Sequence, residues 1–304
     1  MAIDSQPRLL VTGAGGQVGR ELIMRGPALG FHVSGCLRSE LDICDAGAIS
    51  AALKRIRPDA VLNAAAYTAV DRAESEPEIA EAVNGTAAGL LAAACNNANI
   101  PLFHISTDYV FDGSLDRAYR EDDPVNPIGA YGRSKAKGEV AIREATEQHI
   151  ILRTAWVFSA HGNNFVKSIL RLANERDELA VVDDQTGCPT YAGDIALTML
   201  RLVKMCAERA TSGENMRWGT YHLCNEGAVT WRGFADEIVK KAAVRRGRNV
   251  FVRGITTAEY PTAAKRPANS VLDCSAIETV FGVRLRPWHM ALDEVLDELL
   301  KAGD

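Results

Sequence analysis

Arg8-Leu9-Leu10-Val11-Thr12-Gly13-Ala14-Gly15-Gly16-Gln17-Val18-Gly19 decides the fold. Five residues of mostly apolar character run straight into glycines, the pattern of a buried parallel strand. The spacing Gly13-x-x-Gly16-x-x-Gly19 then opens a helix through Glu21-Leu22-Ile23-Met24. Glycines permit a tight turn and close approach of backbone to a pyrophosphate, which the helix N-terminus faces. A bare glycine triplet is weak, but between a strand and an amphipathic helix it points to a dinucleotide. Gly13, Gly15, Gly16, Gln17 and Val18 are the candidate phosphate contacts.

Outward from this point the chain alternates strand and helix. A second strand, Phe31 to Cys36, ends in Leu37-Arg38-Ser39 where an acidic residue would suit NAD. Arg38 with Ser39 suits a 2′-phosphate, so NADPH is favoured and NADH is the other candidate. The plain alternative makes Arg38 a loop charge. Asp42, beside Ile43, either bonds an adenine amino group or caps the next helix. Pro58 to Ala66 is a third strand, ending in Ala64-Ala65-Ala66, small enough for a cofactor to lie across. Pro101 to Thr107 is a fourth, delivering Thr107 at its carboxyl end, where open parallel sheets put their chemistry. His104 within it reads as structural.

Tyr131-Gly132-Arg133-Ser134-Lys135 follows a loop rich in Asp, Pro and Gly. Residues four apart share a helix face. A phenol titrates near pH 10, and an adjacent ammonium lowers that value, so the pair can exchange a proton with a carbonyl oxygen near neutrality. Thr107 can hold the same oxygen. Beyond about residue 160 the alternation loosens. The expectation is an α/β doubly wound parallel-sheet Rossmann domain over 1–160. Residues 161–304 form a smaller, interleaved α/β substrate domain, with parts returning to the first core.

With 304 residues, 47% hydrophobic and 24% charged, the chain buries a full core. A net charge of −5 argues against nucleic acid. The single basic run, Val244-Arg245-Arg246-Gly247-Arg248, reads as a solvated helix end or loop and not a phosphate patch. No signal-peptide core or bilayer-spanning stretch is visible, and seven scattered Cys without a C-x-x-C fit reduced thiols in a cytoplasm.

Taken together, these motifs resemble the extended short-chain dehydrogenase/reductase family, within it the branch acting on nucleotide-linked 4-keto-6-deoxy sugars. The supporting segments are Asn63-Ala64-Ala65-Ala66-Tyr67-Thr68-Ala69-Val70-Asp71, Ser106 to Gly113, Arg153 to Phe158, Asp184-Gln185-x-Gly187-x-Pro189-Thr190 and Arg266-Pro267-x-Asn269-Ser270. The resemblance implies hydride transfer from NADPH to C4 of dTDP-4-dehydro-L-rhamnose, a dTDP-4-dehydro-6-deoxy-L-sugar, giving dTDP-L-rhamnose. Tyr131 would donate the proton, Lys135 would lower the tyrosine pKa and hold the nicotinamide ribose, and Thr107 would hold the oxygen. Val70, Asp71, Asp108, Tyr109, Trp156 and Asn164 would line the sugar site, with Arg266 and Asn269 on the diphosphate. The plain readings stay open: Trp156 as core, Asp71 as a helix cap, Arg266 as half of a surface pair. Some members of the family hold a metal between subunits. Glu21 matches one acidic position, but Gly193 stands at another, with Asp194 one residue on, so Mg2+ is not expected and a homodimer is left as a candidate. Two alternatives remain: a dehydratase or epimerase, disfavoured because Tyr109 follows Asp108, and a non-catalytic NADP-binding subunit like that of methionine adenosyltransferase, which need not keep the Tyr/Lys pair.

Overall fold

The computed structural model describes residues 6–247 and 249–301, and of Arg245 and Arg246 the backbone alone. The start of the chain (1–5) and Arg248 of the basic run thus lie outside the described residues.

In chain order the first half runs β1 (Arg8–Thr12), α1 (Gln17–Arg25), β2 (His32–Cys36), α2 (Ala46–Ile56), β3 (Ala60–Asn63), α3 (Val70–Ala73), α4 (Pro77–Glu81), α5 (Ala87–Asn97), β4 (Leu102–Thr107), α6 (Ala130–Ala145) and β5 (His149–Thr154). The second half runs β6 (Val157–Phe158), α7 (Phe165–Glu175), β7 (Glu178–Val182), β8 (Thr186–Gly187), β9 (Thr190–Tyr191), α8 (Ala192–Ser212), β10 (Gly219–His222), β11 (Val229–Thr230), α9 (Trp231–Arg246), β12 (Phe251–Ile255), α10 (Ser275–Phe281) and α11 (Trp288–Lys301).

Six strands form one sheet in the order β10-β5-β4-β3-β1-β2, every pairing parallel. Successive side chains of a strand face opposite ways, and the core shows it. Leu9, Val11, Leu62, Phe103, Ile150 and Leu152 pack with residues of α1, α8 and α10. Leu10, Val61, Leu102 and Ile151 face the other way, onto α2, α5 and Ile142 of α6. The sheet is therefore doubly wound, as expected. The strand order reverses at β1, which lies between β2 and β3, and the crevice at such a reversal opens at the carboxyl ends of the strands.

A second apolar core gathers Phe158, Val166, Ile169, Leu179, Phe234, Ile238, Val252 and Val295 from β6, α7, β7, α9, β12 and α11. Here β7 and β12 pair in parallel. The segment from α8 through β10, and later α10, instead lies on the first sheet.

Asn84 lies in a π-helical turn, Ala82–Thr86, inside the unbroken helical run from α4 to α5. Its side chain accepts from Tyr67 N–H at 2.8 Å and donates to the Tyr67 carbonyl at 3.0 Å and to Ser134 Oγ at 3.0 Å. Asp42 is not the cap of α2; Asp45 is, its Oδ1 accepting from Gly47 and Ala48 N–H at 2.7 and 3.1 Å.

Candidate active site

The glycine loop sits where β1 ends. Gly13 has φ of 70°, a conformation a side chain rarely tolerates, and a Cβ there would lie 2.5 Å from Ala65 N. A Cβ on Gly19 would collide with the Gly13 carbonyl. Backbone and helix thus pack against each other with no room for side chains, leaving the α1 N-terminus open to an anion.

Gly13, Gly16, Arg38, Asp42, Ile43, Ala64, Ala65 and Ala66, all singled out from sequence, line one cavity of about 230 Å3, with Leu41, Tyr67 and Val83. A larger cleft of about 800 Å3 opens near Arg8, Pro58 and Ile100, at the amino ends of the strands. The smaller cavity is the candidate, because it lies at the carboxyl ends of the strands, beside the glycine loop. Arg38 is 78% exposed and reaches only Asp42, at 3.7 Å. An exposed guanidinium at the cavity mouth, the open α1 N-terminus and the small strand-end residues fit a dinucleotide bearing a 2′-phosphate. Ser39 is exposed beside it. Gln17 behaves otherwise: its Oε1 accepts from Ser159 Oγ and Asn164 Nδ2, both at 3.0 Å, tying the loop to the second half of the chain. Gly15 and Val18 do not line the cavity; Gly15 is exposed and Val18 is core.

Thr107 ends β4 and Tyr131 begins α6. The Thr107 side chain lies near enough to the Tyr131 phenol to favour its ionised form. The same hydroxyl donates to Asp108 Oδ1 at 2.9 Å and accepts from Tyr109 N–H at 3.1 Å. Tyr109 meets Tyr131 edge to face, with centroids 5.7 Å apart. Burial pushes the Asp108 carboxyl up to about 6, against opposing hydrogen bonds from Ser270 and Thr107.

One expectation fails here. Tyr131 is raised above the ordinary phenol value, by burial first and then by the Asp108 charge. Lys135 does not lower it, because Nζ is turned away, donating to the Ile105 carbonyl at 2.6 Å and lying 3.1 Å from His104 Nε2. Burial brings Lys135 down to about 8, with the Glu139 charge opposing. Behind the lysine, Glu139 pairs with Arg153 at 2.7 Å; both are buried. Glu139 was legible in principle, since Tyr131, Lys135 and Glu139 recur at four-residue spacing on one face.

The residues assigned to sugar and diphosphate divide. Trp156 follows β5 with φ of 47°, a strained value for a side-chain-bearing residue. Its indole stacks on Trp231 at 3.5 Å and 6°, and Gly187 is bare where a Cβ would collide with the ring. Trp156 is half-buried, stacked on Trp231 and packed against the edge of the second core; Trp231 was missed, since it is 75 residues away in sequence. Asp71 caps nothing. It follows Val70 in the short α3 and takes both nitrogens of Arg266, at 2.8 and 3.1 Å. Arg266 is thus half of an ion pair, close enough to Tyr109 to hydrogen-bond it. The amide of Asn269 is used by backbone, donating to Leu115 and Arg117 carbonyls at 2.9 and 2.8 Å. That of Asn164 is used likewise, on Gln17, Ser159 and the start of α7. Both hold loops in place and have no donor left for a ligand.

The acidic positions do not fit a metal. Arg25 Nε donates to Glu21 Oε2 at 2.7 Å, Arg286 takes both oxygens of Asp194 at 3.0 Å, and a Cβ on Gly193 would lie 2.7 Å from Arg25 Nη2. Arginines already hold the places a divalent ion would need. Among the described residues no group of three or more His, Cys, Asp or Glu is placed to hold a metal ion, and no helix is long and apolar enough to cross a membrane.

Comparison with known proteins follows the same lines. Residues 7–301 match the family model described as RmlD substrate binding domain. A dTDP-4-dehydrorhamnose reductase of Aggregatibacter actinomycetemcomitans is 44% identical over 291 residues, 95% of this chain and 98% of that protein. The crystal structure of a Clostridium acetobutylicum dTDP-4-dehydrorhamnose reductase superposes with a TM-score of 0.89 at 36% identity, covering 96% of this chain and 99% of that one. A Bacillus anthracis dTDP-4-dehydrorhamnose reductase, solved in complex with NADP, gives 0.89 at 32% identity over the same shares.

Proposed function

The chain belongs to the RmlD substrate binding domain family of dTDP-4-dehydrorhamnose reductases, and on that premise we propose that it reduces the C4 ketone of dTDP-4-dehydro-L-rhamnose to dTDP-L-rhamnose with NADPH. What supports this reading is Thr107 at the carboxyl end of β4, Tyr131 and Lys135 one turn apart on α6, and a family match over residues 7–301.

When bound, the dinucleotide supplies a hydride. The chain does the rest. Gly13, Gly16 and the α1 N-terminus take the pyrophosphate, and Arg38 with Ser39 takes the 2′-phosphate. Ala64 to Ala66 give the flat floor. Thr107 and Tyr131 hydrogen-bond the C4 oxygen, and Tyr131 gives it a proton as it becomes an alkoxide. Lys135, as ammonium, favours the phenolate left behind. Trp156 and Tyr109 wall the sugar. The Asp71–Arg266 pair reaches the diphosphate if its two halves part, since an arginine fork suits phosphate oxygens. Residues 1–160 serve the cofactor and most of 161–304 the sugar nucleotide. Seven free thiols support a cytoplasmic setting.

The test is absorbance of reduced nicotinamide with NADPH and dTDP-4-dehydro-6-deoxyglucose, with and without the 3,5-epimerase that makes the L-lyxo ketose. Oxidation only with the epimerase is expected. Oxidation without it would assign a different 4-keto sugar. NADPH binding with no oxidation in either tube would assign a binding subunit.

A further inference from the structure

Behind Tyr131 a run of buried hydrogen bonds crosses three strand ends. Thr12 Oγ1 donates to Asn63 Oδ1 at 2.6 Å, and the Ala65 N–H donates to the same oxygen at 3.1 Å. With its oxygen so held, Asn63 can present only its NH2 to His104 Nδ1, 2.9 Å away. An amide NH2 donates, so Nδ1 accepts and the imidazole proton sits on Nε2. That N–H points at Lys135 Nζ, 3.1 Å off. An ammonium has three donors and no lone pair, so it opposes Nε2–H donor to donor. A free amine fits: its lone pair accepts from Nε2–H, and one of its hydrogens reaches the Ile105 carbonyl at 2.6 Å.

The surroundings agree. His104 is buried, and burial disfavours its charged form. β1 and β3 bring only the uncharged Thr12 and Asn63. From β4 come His104 and Ser106, the latter bonded to Glu139; from β5 comes Arg153, which neutralises Glu139. On α6 itself, Glu139 favours the charged lysine, Arg143 lies against Glu139, and Tyr131 stands one turn before Lys135. Asp108 acts on Tyr131.

We infer that His104 is a positioning residue: as its Nε2–H tautomer it offers Lys135 a recess that accepts only the uncharged amine. Taking a proton from water expels the side chain toward Tyr131 and the nicotinamide ribose, where the ammonium is needed. The functional part of this inference rests on the reductase reading of Tyr131 and Lys135; the tautomer does not.

The recess favours the amine, so it lowers the lysine pKa in the free protein. Losing it raises that pKa, and the active ammonium survives to higher pH. His104→Gln offers Nζ an amide oxygen. Asn63→Asp does the same indirectly, since an acid acceptor takes the Nδ1–H and turns a bare Nε2 toward the lysine.

The experiment has two readouts. In 15N-labelled full-length protein at neutral pH, without substrate, the His104 imidazole signals are identified by their loss in His104→Gln and their shift in Asn63→Asp. A protonated Nε2 and bare Nδ1 are expected; the reverse overturns the proposal. In the pH profile of kcat/KM, the alkaline limb of both variants should move up by about one pH unit, the scale of one charge-assisted hydrogen bond. A limb that stays put while turnover falls equally at every pH marks a structural role and also overturns it. Should no 4-keto sugar be reduced, the reductase reading fails, and the imidazole spectrum still decides the tautomer.

Discussion

Replacing Glu139 by Ala takes one partner from an ion pair sealed inside the protein. Arg153 Nη2 and Nε meet Glu139 Oε2 and Oε1 at 2.7 and 2.9 Å, and Ser106 Oγ donates to Oε1 at 2.6 Å. Glu139 is 0% and Arg153 2% exposed. A buried guanidinium without its counter-charge costs about 3–5 kcal/mol. The unfolding entropy of a chain this long is about 0.64 kcal/mol/K, so Tm falls by roughly 5–8 °C. The double variant Glu139→Leu/Arg153→Met removes the stranded charge and should recover most of that loss. The pH dependence has a definite sign. Burial pushes Glu139 up, but the hydrogen bonds and charge of Arg153 more than offset it, and the net shift is downward. A depressed carboxylate stabilises the fold above its unfolded value and loses that contribution as pH falls through the lower folded one. The gap between wild type and Glu139→Ala is therefore full at neutral pH and closes only in acid below the ordinary Glu range. Calorimetry at pH 7 on the wild type, Glu139→Leu, Arg153→Met and the double variant measures the cycle, with Glu139→Ala run beside them. A loss under about 2 °C for Glu139→Ala, or a double variant as unstable as the two singles combined, would refute the argument.

Tyr131→Phe should lower turnover by about 10²–10⁴-fold while NADPH binding stays within a few-fold; retained turnover would remove Tyr131 as the acid. Arg38→Ala should weaken NADPH relative to NADH by about tenfold to a hundredfold, read by fluorescence titration with both coenzymes. Equal losses would leave the 2′-phosphate contact without support. Asp108→Asn should delete an ionisation at about 6 from the pH profile of kcat/KM; a step surviving there belongs to another group.

What sequence made legible was local. Gly13, Gly16 and Gly19 lie within seven residues, and their spacing describes one turn and one helix start. Tyr131 and Lys135 share a face because a helix has a fixed pitch. Ala64 to Ala66 and Arg38 were readable because each follows a strand that the apolar pattern had located, and the cavity does collect them. What escaped depends on which strand lies beside which. Asn63 and His104 are 41 residues apart and Asp71 and Arg266 are 195 apart, so neither contact leaves a trace in spacing. The direction of Lys135 Nζ escaped for the same reason. A helical pair predicts that two side chains share a face, and it is the Ile105 carbonyl and His104, from another element, that turn one away. Asn164 and Asn269 were assigned to a ligand from the family resemblance, but amides are equally good at holding loops, and here both bond backbone, Asn164 also the Gln17 side chain.

Arg38 and Lys135 differ in how much a substitution would disturb. Arg38 follows β2, the outermost strand of the sheet, and projects into solvent with one loose neighbour. Lys135 is 1% exposed and shares its surroundings with three strands. A change at position 38 rewires nothing else, whereas a change at 135 reaches Asn63 and Thr12. Coenzyme preference is therefore the evolvable trait of this protein and proton handling the frozen one. Redesign toward the cheaper coenzyme, NADH, belongs at the rim, at Arg38 and Ser39, where a misjudged residue loses affinity and leaves the fold intact.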